Sequence, residues 1–137
     1  MNPLARTDAS PTEAVHFCTH CGAFHGDAPR VCPACGLGVV LECAPGVLPR
    51  AGAAFLVVKA DLRISAASEA AEEFLGDVTG EPLLDVLSGD PSLPRWIARA
   101  AMGSGRVVSV ALRKGSRRIN GRVAACGSPP AALLVLQ

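Results

Sequence analysis

The stretch CTHCGAFHGDAPRVCPAC, residues 18–35, constrains this 137-residue chain more than any other. It places four of the six cysteines in two CxxC pairs, Cys18/Cys21 and Cys32/Cys35. Each CxxC makes a tight turn that aims two sulfurs at one point. Gly22 and Gly36 follow the second cysteine of each pair. Glycine there lets the backbone curl so that amide N–H groups point at the sulfurs. Zinc wants four soft ligands in a tetrahedron, and thiolates at about 2.3 Å suit it. Cys18, Cys21, Cys32 and Cys35 are therefore the candidate ligands of one zinc ion. With four protein thiolates the site has no open position for water or substrate, so it is expected to be structural.

Between the pairs, HGDAP has hairpin-turn character, and GLGVVLEC after Cys35 is a short β-prone run. This order of knuckle, hairpin, knuckle and strand resembles a short zinc ribbon over residues 15–43. CPACG also resembles a rubredoxin knuckle, which would take iron, but rubredoxin-like chains separate their knuckles much further. A thioredoxin-like site would need its CxxC at the head of a helix in a βαβ context, which is missing here. His16, His20 and His25 flank the cluster and read as exposed, although one of them could replace a thiolate. Cys43 and Cys126 have no partner nearby in sequence and read as small buried hydrophobes.

No run approaches the roughly 20 apolar residues of a membrane span, and the start lacks a signal-peptide core. A cytoplasmic chain is expected, where clustered cysteines serve as metal ligands or catalytic thiols rather than disulfides. Residues 1–14 read as a disordered polar tail. Residues 44–52, APGVLPRAG, read as a linker, with two prolines and two glycines. Residues 53–137 form one further unit.

In that unit AFLVV (54–58) is a β-prone strand, KAD a turn, and LRISAA the start of a second strand. Ser68 sits where a helix N-cap belongs, Glu69 falls in the first turn, and Gly76 ends the helix. GEPLLDVLSG (80–89) looks like the short middle helix, and SLPRWIARAAMGSG (92–105) like the long connecting helix, of the fold family that this order resembles; Leu93, Ile97, Ala100 and Ala101 share one face. Residues 106–115, 116–126 and 130–137 then form a three-strand meander, with turns at Lys114-Gly115 and Gly127–Pro130.

This order, with its S-x-A-A-E-x-F-L-G-like segment, resembles a PAS domain across residues 53–137. Many PAS domains have Asn where this chain has Ser68. The resemblance implies an α+β fold: a five-stranded antiparallel sheet with helices on one face, preceded by the small β ribbon. It also implies a sensory role, with a small molecule held between sheet and helices, or partners bound through the sheet. Val58, Ile64, Phe74, Leu75, Trp96 and Ile97 are the candidate lining of such a pocket. The pocket is expected to be a small apolar cavity or none. No histidine follows residue 25, neither Cys43 nor Cys126 lies in the flavin-photoreceptor motif, and there is no tyrosine. Neither haem nor flavin is therefore expected.

AFLVV and AALLVL (131–136) are apolar on both faces, and the resemblance makes them adjacent central strands. Their outer face is expected to be covered by the ribbon, a second copy or another protein, with a homodimer through the sheet preferred. Charge is uneven too. Residues 61–90 hold eight acids and only one cation, Arg63. Residues 99–122 hold seven cations and no acid: Arg99, Arg106, Arg113, Lys114, Arg117, Arg118 and Arg122. That run is either solvated strand edges or a basic surface for a phosphate or an acidic partner.

The expected function is a zinc-binding PAS-type sensory or interaction module acting through a signalling partner, with no membrane. The alternative is a zinc-ribbon, nucleic-acid-associated transcription factor. The net charge of +1, and a single cation (Arg30) in residues 15–43, argue against it. No nucleophile elbow, phosphate loop or supported carboxylate pair is present, so an enzyme is not expected.

Overall fold

The computed structural model describes residues 14–27, 29–103 and 106–137. All of the polar tail except Ala14 lies outside them. The cysteine segment folds as three short strands: β1 (Val15–Cys18), β2 (Phe24–His25) and β3 (Val40–Cys43). β1 is the middle one, antiparallel to both others, with Phe17 opposite Phe24 on one side and Leu41 on the other.

The second unit follows the expected order. β4 (Phe55–Val58) and β5 (Ile64–Ala67) form a hairpin. Helix α1 (Glu69–Leu75) starts at Ser68. The Ser68 Oγ accepts hydrogen bonds from Ala71 N and Phe55 N and donates to Ala53 O, so one buried hydroxyl ties the helix start to the segment entering β4. Gly76, at φ 81°, ends the helix in a conformation that costs glycine nothing. Then come α2 (Leu83–Val86), the two-residue β6 (Ser88–Gly89), α3 (Leu93–Ala101) and the meander β7 (Val108–Lys114), β8 (Arg117–Cys126) and β9 (Ala131–Leu136). Within this unit the strand order is β5-β4-β9-β8-β7, antiparallel throughout. β4 and β9 are adjacent, as expected.

The expected five-stranded sheet is too small. Among the described residues the sheet has nine strands, because β6 adds to β7 and the cysteine hairpin joins at β8. β7 pairs with β8 only as far as Val123. Beyond that point the same edge of β8 is open, and β3 takes it, setting Cys43 opposite Cys126. Gly127 N–H donates to Glu42 O at 2.9 Å and fixes that register.

Successive side chains on a strand alternate between faces. Leu56, Val58, Ala132 and Leu134 therefore face the helices, where they meet Leu93, Ile97 and Ala100 of α3. Phe55, Val57, Leu133 and Val135 face the other way, and none of the four is more than 3% exposed. The cover is Phe17 and Leu41 of the hairpin with Val47 and Leu48 of the linker. The Phe17 ring meets Phe55 edge-on, with centroids 5.2 Å apart at 85°. Burial of each such side chain contributes roughly 1.5–3 kcal/mol. Segment 44–52 is thus packed at Val47 and Leu48 rather than free, and the chain itself buries the face that motivated the expected homodimer.

Candidate metal centre

The two knuckles are built alike. Gly22 N–H donates to Cys18 O at 3.1 Å, and Gly36 N–H to Cys32 O at 2.8 Å. Gly22 and Gly36 sit at φ 76° and 72°, so each CxxC closes with the same left-handed glycine. Between β1 and β3 the knuckles face one another. The Sγ atoms of Cys18, Cys21, Cys32 and Cys35 all lie within 4.8 Å of each other. Cys18 and Cys35 are 3.6 Å apart at sulfur, and Cys21 and Cys32 are 3.8 Å apart. A tetrahedron with metal–sulfur bonds of about 2.3 Å has edges of about 3.8 Å. The donor set therefore fits a tetrahedral ion such as zinc, and the same four thiolates suit iron of the rubredoxin type.

The surroundings of Cys18 and Cys35 supply donors to a thiolate, whereas those of Cys21 do not favour one. Backbone N–H groups of His20 and Cys21 point at Cys18 Sγ at 3.3 and 3.4 Å, and that of Leu37 at Cys35 Sγ at 3.4 Å. The Leu37 and Gly38 N–H groups hold the Cys35 thiol down at about 6. Burial pushes Cys21 up to about 12. A bound cation deprotonates such thiols. Gly38 passes so near that a Cβ there would collide with Cys18 Sγ.

Two histidines expected to be merely exposed have partners. His25 Nε2 stands 3.3 Å from Cys32 Sγ, placed to donate to a thiolate in the tautomer protonated at that nitrogen. Its placement follows from the β1–β2 register, which sets His25 opposite His16. His20 Nε2 lies 3.5 Å from Glu69 Oε2, and Glu69 N–H donates to His20 O at 2.7 Å. Gly52 N–H donates to Gly22 O at 3.1 Å. The first knuckle thereby touches both the start of α1 and the linker.

The six candidate pocket residues lie on the helix side but enclose no shared cavity among those described. Val58, Ile64, Leu75 and Ile97 are buried in the helix-side core, with Phe74 and Trp96 partly buried against it. Trp96 borders a space of only about 10 Å³. Of the basic run, Arg99 stacks on Trp96 at 5.4 Å, and Arg122 donates to Val47 O at 2.7 Å. No helix among the described residues is long and apolar enough to cross a membrane.

No family model matches this chain, and no curated protein matches it. Among solved structures, the PAS domain of nitrogen regulation protein NR(II) from Vibrio parahaemolyticus is similar at 20% identity. The match covers 61% of this chain and 84% of that one, with a TM-score of 0.45.

Proposed function

We propose that this chain is a PAS-type sensory or interaction module whose N-terminal hairpin is held by one structural zinc ion and whose output is binding to a protein partner. The observation that carries the reading is the strand order β5-β4-β9-β8-β7 with α3 packed across β8 and β9. The closed four-thiolate set supports a holding rather than a catalytic role for the metal, and the reading contains no catalytic step. A partner-binding role draws support from the second knuckle. Val31 and Val39 bridge each other beside it, and Leu37 lies in the turn between them. All three are more than half exposed on a tip that the metal would make rigid. Exposed apolar side chains grouped in this way mark interaction sites.

The partner of first choice is a second copy in the same cytoplasmic compartment. It would dock on this tip, since the outer sheet face is already covered. Light scattering on metal-loaded protein tests the pairing. The wild type should have the mass of two chains, and Leu37→Glu should return it to one. A wild type that stays monomeric at high concentration would sink the pairing. Native mass spectrometry of the same sample reads the metal directly.

A further inference from the structure

Within the basic run of residues 99–122, the end of the β7–β8 hairpin concentrates like charge. The pairing of β7 with β8 sets Arg113 directly opposite Arg118 and Lys114 directly opposite Arg117. Like charges in that position weaken a strand pair, so folding alone gives no reason for the arrangement. Among the described residues, Arg50, Arg117 and Arg118 have no carboxylate within ion-pair distance.

Arg117 and Arg118 are neighbours on β8 and so start toward opposite faces of the sheet. At the end of the sheet they join Arg50 of the linker along one groove of about 480 Å³. Ala70 and Phe74 of α1 and Leu136 of β9 supply apolar wall. The Arg117 guanidinium carbon stands 5.6 Å from the Phe74 ring centroid, which positions the cation at the border between the two kinds of lining. No acidic side chain of the described residues lines the groove, which Gln137 also borders. Small-molecule clefts are typically about 300–1,000 Å³, largely apolar with a few polar groups.

We propose that this groove binds a small amphipathic organic anion, with its carboxylate on Arg50, Arg117 and Arg118 and its aliphatic body against Phe74, Ala70 and Leu136. Guanidinium forks match a carboxylate in two-bond geometry. A neutral amphiphile leaves the cations without an anion, and a bare inorganic anion leaves the apolar wall wet. The site includes linker residue Arg50 and lies apart from the metal, so it stands or falls separately from the module proposed above.

Calorimetric titration of the metal-loaded full chain with octanoate, octanol and inorganic phosphate tests the site. Octanoate should bind saturably and at least about tenfold more tightly than either of the others. Arg117→Gln and Arg118→Gln should each weaken octanoate about tenfold and leave octanol unchanged. Ala70→Trp fills the groove without altering its charge and should abolish octanoate binding, which keeps the test decisive if an arginine variant folds poorly. Absence of saturable octanoate binding, equal affinity for octanol, or phosphate binding as tight as octanoate overturns the proposal.

Discussion

The cysteine hairpin and the five strands it leans on are parts of one sheet, held by different means. The hairpin has three strands of two to four residues and leaves Phe24, Val31, Leu37 and Val39 exposed. Its own apolar contribution to a core is small, with Phe17 as its one fully buried large side chain. The second unit buries apolar side chains on both faces of β4 and β9, some under helices and some under the hairpin and linker. On the reading proposed above, the first region would rest on the ligand chemistry of four residues, whereas the second rests on an apolar pattern spread along residues 53–137. The difference teaches where each should fail. Removing one atom type should collapse the first, whereas the second should yield in increments.

Metal removal should have the largest effect. Chelation, or Cys32→Ser, should release the ion and unfold β1–β3, since metal binding in such small sites supplies on the order of 10 kcal/mol of folding free energy. Amide hydrogen exchange should then be fast in residues 15–43, while β8 and β9 stay protected. Full protection of β1–β3 without metal would erase the contrast between the regions. The metal load of the variant, read by elemental analysis, checks the ligand set.

Phe17→Ala comes next, because Phe17 is where the two regions touch. Deletion of a buried phenylalanine ring should cost about 3–5 kcal/mol, read as a shifted denaturant midpoint. It should also expose Phe55 and Val135 and raise binding of a hydrophobic dye. Leu134→Ala, on the helix side, should cost about 2–5 kcal/mol without detaching the hairpin. If both variants detach the hairpin equally, the two faces are not separate.

Ser68→Ala should cost about 1–2 kcal/mol, since it removes the cap on α1 and strands the Phe55 N–H. Metal content should not change.

The smallest effect concerns the seam. Burial pushes the Cys43 thiol up to about 11 and Cys126 up to about 12, from an ordinary value of 9.0. Above pH 9 the unfolded chain gives up thiol protons that the folded chain keeps, so stability falls as pH rises. At pH 9.0 the loss should be about 0.4 kcal/mol per thiol, growing as pH climbs further. Denaturant midpoints across pH 7–10 should slope less in a Cys43→Ala/Cys126→Ala double variant; equal slopes would show that the seam thiols are wet.

Local features were legible in the sequence because neighbours decide them. Ser68 and Gly76 bound a helix through hydrogen bonds and a φ value that each residue type favours, and both stand where expected. The doubled CxxC and its glycines fixed the grouping of four sulfurs for the same reason. The adjacency of β4 and β9 followed from the PAS resemblance rather than from any local signal. What escaped was set by contacts between distant segments. Nothing near Cys43 signals that it will face Cys126, since that register depends on where β7 ends along β8. The burial of Val47 and Leu48 was hidden by the prolines and glycines around them, which mark turns but say nothing of what a turn lies against. The contact of His25 with Cys32 needed the β1–β2 register, which a two-residue strand does not announce.

The Cys43–Cys126 pairing also sets an order of events during synthesis. The hairpin is made before its docking strand, and its four thiols, within eighteen residues of one another, can meet without the rest of the sheet. Its docking strand, β8, is made only after β4–β7. Until then Phe17 and Leu41 have no sheet to rest on, and β4 waits for β9 with both its faces uncovered. Pairings of such long sequence separation form slowly. The nascent chain therefore carries the cysteine hairpin beside an uncovered β4 until β8 and β9 are made, and exposed strands of this kind are prone to aggregate.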